Sequence, residues 1–279
     1  MRSPFRSLQW IAAAAAILVP AISFADTPSF NNLTGSDYEK IVKELSANFS
    51  YSTLTPASSL GGLWGFEFGV VGGVTKTPEI LNLVKRTNAN FKESKFPHAG
   101  ALLRVGAPIG FTGELVILPK IKASDLDIQQ YGGSVMWTAT DVALPELPVT
   151  VAVKGYFNKT KLGFSQTINN SSTGGFSVPA RLDFSDTLLG AQILVSKKFL
   201  VFEPYLGFGY AKADGTLTIS SPNPLASIFL GGGSSATSKP TSAQLMAGVD
   251  VRLLFIALGA EYQRAFGTDS ISGRLSFRF

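Results

Sequence analysis

From residue 62 to the end of the chain, large apolar side chains recur at every second position. Trp64, Phe66, Phe68 and Val70 alternate with Gly65, Glu67 and Gly69. Leu245, Ala247, Val249, Val251 and Leu253 alternate with Gln244, Gly248, Asp250 and Arg252. The same dyad pattern runs through Val149–Phe157, Leu189–Val195, Phe202–Tyr210 and Ile256–Tyr262. A period of two places successive side chains on opposite faces of a strand. The pattern predicts strands near 62–75, 98–107, 111–120, 129–140, 148–163, 178–197, 200–213, 241–253, 256–265 and 270–279. Strands of about ten residues suit a tilted membrane crossing, whereas strands in soluble sheets average about 5–6. Links at 108–110, 198–199 and 254–255 are very short, while those at 76–97, 164–177 and 214–240 are long and rich in Gly, Ser, Thr, Pro and Asn. Such alternation of turns and loops is that of an up-and-down barrel with turns at the periplasmic end and loops outside. Leu182 and Phe184 sit on the opposite parity from Leu189 and Ile193, which predicts a bulge near Ser185-Asp186 or a change of parity above the membrane.

Two segments read as helices instead. Residues 36–47 place Tyr38, Ile41, Val42 and Leu45 on one face, with Ser36 as N-cap and Glu39 closing a capping box. This amphipathic helix precedes the first strand and is therefore expected on the periplasmic side, plugging the lumen, packing beneath the barrel or lying on the inner leaflet. Residues 78–86 predict a second helix in the first long loop, with Thr77 as cap, Pro78 in the first turn and Glu79 favoured by the helix dipole. Leu225–Leu230 forms an apolar patch in the loop at 214–240. At the N-terminus, Arg2 and Arg6, the ten-residue apolar run Trp10–Val19 and small residues at Ser23 and Ala25 predict a secretory signal over 1–25.

Composition narrows the chemistry. The chain has no Cys and one His, so thiolate metal sites, disulfides and sites needing two histidines are excluded. Only 15% of residues are charged, and the formal charge of +5 falls to +3 when 1–25, with two arginines and no acid, is removed. Lys and Arg occur in no run longer than a pair, which argues against a nucleic-acid partner. No pattern calls for a cofactor or a metal. Aromatics gather at strand ends: Trp64, Phe66, Trp137, Phe202, Phe277 and Phe279 at the turn end, Tyr131, Phe157, Tyr210 and Tyr262 at the other. Two such girdles mark the two membrane interfaces of a barrel.

The chain ends in Phe279, with Phe277, Leu275 and Ile271 at alternate positions before it. These ten residues resemble the C-terminal strand signal of Gram-negative outer-membrane β-barrel proteins. The resemblance implies an exported outer-membrane protein, in contact with outer-membrane lipid and recognised by the barrel-assembly machinery through that strand. The fold expected is all-β: a transmembrane antiparallel up-and-down β-barrel of about ten strands, with eight and twelve open, and a short N-terminal helix. The chain then divides into a signal at 1–25, a periplasmic segment at 26–61 and a barrel at 62–279.

With large residues facing lipid, the alternation turns Glu67, Arg104, Glu114, Lys154, Glu203, Asp250, Arg252, Glu261, Arg274 and Arg278 toward the lumen, along with many glycines. Inward charges persist only where paired or hydrated. A turn at 266–269 would set Glu261 opposite Arg274 as a cross-strand pair. Three functions follow. One is passive passage or binding of a small solute, an apolar ligand being suggested by the lumen glycines and the loop patch. A second is a plugged structural or adhesion barrel acting through its loops. The third is a lipid-active enzyme with His98, at the outer end of the second strand, as general base.

Overall fold

The structure, a computed structural model, describes residues 34–52, 54–61, 65–86, 89–123, 126–143, 145–169, 177–221 and 235–279. The signal expected at 1–25, Trp64 and the Leu225–Leu230 patch lie outside the described residues. The strands are β1 (Phe66–Lys76), β2 (Lys95–Gly106), β3 (Phe111–Ala123), β4 (Leu126–Thr138), β5 (Thr150–Asn169), β6 (Ser177–Ser196), β7 (Phe202–Ser220), β8 (Ser235–Ser238), β9 (Thr241–Leu253), β10 (Ile256–Ala265) and β11 (Thr268–Arg278). Each pairs antiparallel with its neighbours, β1 joins β11, and β6 joins β7, so ten strands close a barrel. The four-residue β8 pairs only with the far end of β7 and stands outside the ring. Closure leaves no free edge, the condition for sheet structure in lipid.

The exterior carries the apolar parity. Phe68, Leu115, Val135, Phe157, Leu189, Ile193, Leu206, Leu245 and Ile271 are all exposed. In water such a surface would be untenable; in a bilayer it is the belt that holds the barrel in place. At the turn end the rings touch one another: Phe68 lies 5.6 Å from Phe277 and Phe111 lies 6.5 Å from Trp137. Tyr131, Phe157, Tyr210 and Tyr262 are exposed toward the loop end. The hairpin turns at 254–255 and 266–267 are tight. Phe266 (φ 53°) and Gly267 (φ 84°) form the two-residue link of β10 and β11, both left-handed as a type I′ turn requires.

Two strand irregularities differ from expectation. The pairing of β5, β6 and β7 runs without interruption through Ser185 and Asp186, so no bulge occurs there. Parity does not change either: Leu182, Phe184, Leu188 and Leu194 all point inward, while Leu189 and Ile193 point outward. What changes is the chemistry of the interior, which becomes apolar toward the loop end. The register shift lies instead in β3, between Leu118 and Ile121, at Pro119. Proline lacks the N–H that a ladder needs and is tolerated at a bulge.

The wall is uneven in height. β5, β6 and β7 have 20, 20 and 19 residues, the other barrel strands 10 to 13. A crossing needs about 9–11, so these three strands rise well beyond the membrane at the loop end. Helix α1 (Gly35–Asn48) rests on the inner face of this extension. Its cap is Thr34 rather than Ser36. Thr34 N–H donates to Asp37 (3.0 Å), while the Thr34 hydroxyl accepts from Asp37 N–H (3.4 Å), so the box closes on Asp37 and the helix starts two residues earlier. Helix α2 (Pro78–Lys85) lies in the first loop.

Candidate functional site

The segment expected on the periplasmic side occupies the barrel interior. α1 enters at the loop end, and the chain from Phe49 to Gly61 descends through the lumen to β1 at the turn end. Tyr38, Ile41, Val42, Leu45 and Phe49 bury themselves among Leu162, Leu182, Phe184, Leu217 and Ile219 of the tall wall and Leu83 and Val84 of α2. That accounts for the inward Leu182 and Phe184: the interior there is a small hydrophobic core, and α1 is its other half.

Lower down the interior is charged. Lys154 Nζ is 3.0 Å from one oxygen of Glu114, and Arg104 Nε is 2.9 Å from the other. Arg104 Nη1 reaches Glu67 at 2.7 Å. Arg274 lies 3.4 Å from Glu67 and also bonds Asp250. Arg252 completes the series, 2.6 Å from Asp250 and 2.9 Å from Glu203. Four cations and four carboxylates thus alternate along the inner wall from β5 through β3, β2, β1, β11 and β9 to β7. The chain of pairs has no net charge. Isolated, any one of these ions would be costly in this position; alternation gives each a counter-charge on both sides or at the end of the row.

Glu261 and Arg274 do not pair. The two-residue turn sets Glu261 opposite Ser272 and Gly259 opposite Arg274. Both side chains are buried, but Glu261 accepts from Ser52 (2.5 Å) and Tyr205 (2.7 Å) instead. A turn two residues shorter than expected moved every pair of the hairpin by two positions, which keeps the face and changes the partner.

The threaded segment meets this wall with neutral groups alone. Thr55 donates to Glu114 (3.1 Å) and accepts from Lys154 (3.0 Å). Ser58 donates to Glu203 (2.9 Å) and accepts from Arg252 (2.8 Å). Ser50 accepts from Gln244 (2.9 Å), and the Ser59 carbonyl accepts from Arg278 (3.0 Å). Thr138 donates to the Ala57 carbonyl (2.8 Å), and Asn158 donates to that of Phe49. Tyr51 stacks on Tyr156 with centroids 5.4 Å apart. The inward glycines make room for side chains: a Cβ on Gly248 would fall 2.3 Å from the Tyr205 ring, and one on Gly132 2.9 Å from Tyr51.

His98, on β2, is bound on both sides. Its Nε2 is 2.9 Å from Ser272 Oγ on β11, and its Nδ1 is 3.2 Å from Asn48 Oδ1 at the end of α1. The Asn48 amide also donates to the Pro97 carbonyl (3.2 Å). Serine, imidazole and amide stand in the order of a nucleophile, its base and an orienting group. The adjoining cavity, lined by Asn48, Tyr51, His98 and Gln130 among others, holds about 20 Å³, room for a water but not for a substrate. In this arrangement His98 fastens α1 to the wall. Neither Ser272 nor Asn48 was recognisable beforehand, because each lies on an element whose alignment with β2 only the closed barrel defines.

A second fastening joins the helices. Thr77 makes no side-chain cap on α2. Glu44 of α1 takes its place: its two oxygens accept from Glu79 N–H (2.7 Å) and Ile80 N–H (2.8 Å), the unsatisfied donors of a helix start. Lys40 pairs with Glu79 (2.9 Å), and Arg86 with Asp37 (3.1 Å). Burial pushes the Glu44 carboxyl up to about 7, against the two N–H bonds. Asp37 is held below the usual carboxylate range, first by the Thr34 backbone N–H, with the Thr34 hydroxyl and Arg86 assisting.

Fold and interior together define a transmembrane β-barrel with a self-neutralised lumen threaded by its own N-terminal segment. The chain belongs to a family of unknown function, DUF6588, whose model matches residues 42–279. No curated protein matches it. Among solved structures it is similar to the outer-membrane protease OmpT from Escherichia coli (8% identity over 77% of this chain and 96% of that one, TM-score 0.47). It is also similar to the translocator domain of the autotransporter NalP from Neisseria meningitidis (11% identity, 88% and 99% covered, TM-score 0.42) and to a Pseudomonas aeruginosa FadL homologue (13% identity, 72% and 60% covered, TM-score 0.40).

Proposed function

We propose that the protein is an outer-membrane barrel that passes or binds a small polar solute, and that residues 34–61 are the plug that closes it. The observation that carries this reading is that the ions of the lower wall pair with one another and that residues 49–61, the part of the plug that meets them, carry no charged side chain. The wall's eight ions balance one another, and the plug adds only hydroxyls, carbonyls and apolar side chains to them. Withdrawing residues 49–61 therefore breaks no ion pair; water replaces the lost hydroxyl and carbonyl bonds, including those of Ser52 to Glu261 and of Arg278 to Ser59. A plug carrying one sign of charge would be far harder to remove. The vacated neck would be lined by charged and hydroxyl groups, which favours a polar solute over the apolar one suggested by the loops.

A reversible tether tests this directly, because the chain has no Cys of its own. A Cβ built on Gly259 lies 3.4 Å from the Leu54 Cβ, within reach of a disulfide between plug and wall. The variant Leu54→Cys/Gly259→Cys should be silent in a planar bilayer when oxidised and should show discrete current steps when reduced, at the frequency of the unmodified protein. A folded barrel that stays silent in the reduced state and without the substitutions would end the passage reading. The tall β5–β7 wall and its helical cap, standing beyond the membrane, would then be the functional surface of a permanently closed barrel.

A further inference from the structure

The outer face of the tall wall carries a basic cluster that the lumen does not use. Across the sheet, Gln129 of β4 pairs with Lys161 of β5, Lys161 with Ser185 of β6, and Ser185 with Thr216 of β7. Lys120, at the β3 bulge, borders the same row at Gln129. All these side chains point outward, on the parity that forms the apolar belt lower down. The next rung down contains Tyr131 and Lys159, which pair directly, and the rung below it Phe157 and Leu189. The row therefore lies immediately beyond the aromatic edge of the belt, at the depth of lipid headgroups.

A cavity of about 250 Å³ opens on this face, lined by Lys120, Lys161, Arg181, Ser185, Thr216 and Thr218 among others. Its acids are already engaged. Arg181 Nη2 is 2.8 Å from Asp127, and Arg181 Nε is 3.0 Å from Asp183. The guanidinium lies over Gly163, where a Cβ would come within 2.3 Å of it. Lys120, Lys122, Lys159 and Lys161 make no ion pair among the described residues. Five cations face two carboxylates here, a local excess of three positive charges. On the same rim near β11, by contrast, Lys76 and Arg264 share Asp269.

We propose that this face binds the phosphate-bearing headgroup of an anionic glycolipid in the outer leaflet, with Lys120 and Lys161 as the phosphate ligands and the Ser185, Thr216 and Thr218 hydroxyls as accessory donors. The geometry matches the chemistry: ammonium groups to the phosphate, hydroxyls to the sugar, and Tyr131, Phe157 and Leu189 beneath for the acyl chains. The proposal rests on the membrane placement given above but is independent of the plug.

The test is retention of lipid A by the purified full-length protein, reconstituted in phosphatidylcholine vesicles containing it and extracted into mild detergent for native mass spectrometry. The protein should retain diphosphorylated lipid A and not its dephosphorylated form. Lys120→Gln/Lys161→Gln should weaken retention by roughly fivefold per lysine, whereas Lys197→Gln/Lys198→Gln, at the turn end, should leave it unchanged. Heat-modifiable migration on gels verifies that each variant is folded. Equal retention by the Lys120/Lys161 variant, equal loss in the turn-end control, or equal retention of the dephosphorylated lipid would overturn the assignment. Displacement of lipid A by inorganic phosphate in the low millimolar range would replace it with a soluble-anion site. Because the readout is lipid and not current, a failure here is distinct from a silent bilayer.

Discussion

The two halves of the lumen solve the same problem with opposite chemistry. Toward the loop end, α1 and the tall wall bury apolar side chains against one another, as two layers of a water-soluble domain do. Toward the turn end, the wall holds a chain of ion pairs, and the descending segment hydrogen-bonds to it. In the upper half plug and wall are inseparable partners, since removing α1 exposes Leu182, Phe184 and Leu217 to water. In the lower half the wall's ion pairs are complete without the occupant. The plug is therefore anchored at the top and only fitted at the bottom, so the passage proposed above would open the lower half while the upper anchor stays in place.

The largest effect should come from breaking the lower wall itself. Arg104→Met leaves Glu67 and Glu114 short of their shared counter-charge and should cost about 3–5 kcal/mol of barrel stability, measured by urea unfolding in detergent or lipid. Adding Glu67→Gln restores the balance of signs and should recover part of the loss. If Arg104→Met unfolds at the same denaturant concentration as the unmodified barrel, the ion chain does not support the wall. Truncation in the upper half should behave differently. Leu182→Ala removes part of the α1 seat and should cost about 3 kcal/mol, but as release of α1, seen as new protease cleavage between residues 34 and 61, with the barrel still resistant. Simultaneous loss of plug and barrel would show that the two halves are one cooperative unit.

This division also explains what the sequence displays and what it hides. The belt, the girdles and the ten crossings follow from alternation, because every strand touches lipid on one face and that solvent is uniform. Glu67, Arg104 and Lys154 could likewise be placed on the inner parity. Their partners could not, since pairing depends on register, and one two-residue turn at Phe266-Gly267 was enough to exchange Ser272 for Arg274 opposite Glu261. A helix at 36–47 that could plug the lumen was legible, but the lumenal path of the stretch after it was hidden for another reason. Ser50, Ser52, Thr55, Ser58 and Ser59 have the composition of an exposed loop, and hydroxyls that satisfy buried ions look the same in sequence as hydroxyls that face water. At Leu182 and Phe184 the pattern was visible but its meaning was not: an apolar residue on the lumen parity signals a partner inside the barrel, and α1, about 140 positions earlier, is that partner.

A smaller effect should distinguish fitting from anchoring. Ser58→Ala deletes one hydroxyl that bridges Glu203 and Arg252. The ion pair between those two, 2.9 Å apart, remains. A lost hydrogen bond to charged groups is worth about 2 kcal/mol, here charged to the plug's lower end and not to the barrel. Current steps should become more frequent while the unfolding midpoint stays within error. A lower midpoint without any change in current would mean that Ser58 supports the wall and does not hold the plug.

The smallest effect belongs to the joint between α1 and α2. Glu44 has its carboxyl pushed up to about 7 by burial, so the folded joint keeps a proton that the detached chain, with a carboxyl near 4.5, has already released. Across that interval the folded form binds more protons than the unfolded one, and the contribution to stability falls as pH rises. It is fully present below about 4.5, declines up to about 7 and is flat beyond. The groups facing Glu44 are the Ile80 and Glu79 amides and Lys40, which hold its carboxyl down, and the Glu79 carboxylate, which acts with burial to push it up. Protease cleavage between α2 and β2 should therefore accelerate between pH 5 and pH 8 by about tenfold or less, and Glu44→Gln should cleave at one rate throughout. If the unmodified protein shows no such trend while Glu44→Gln loosens the loop at every pH, the carboxylate serves only as a cap for α2, and the upper anchor does not sense pH.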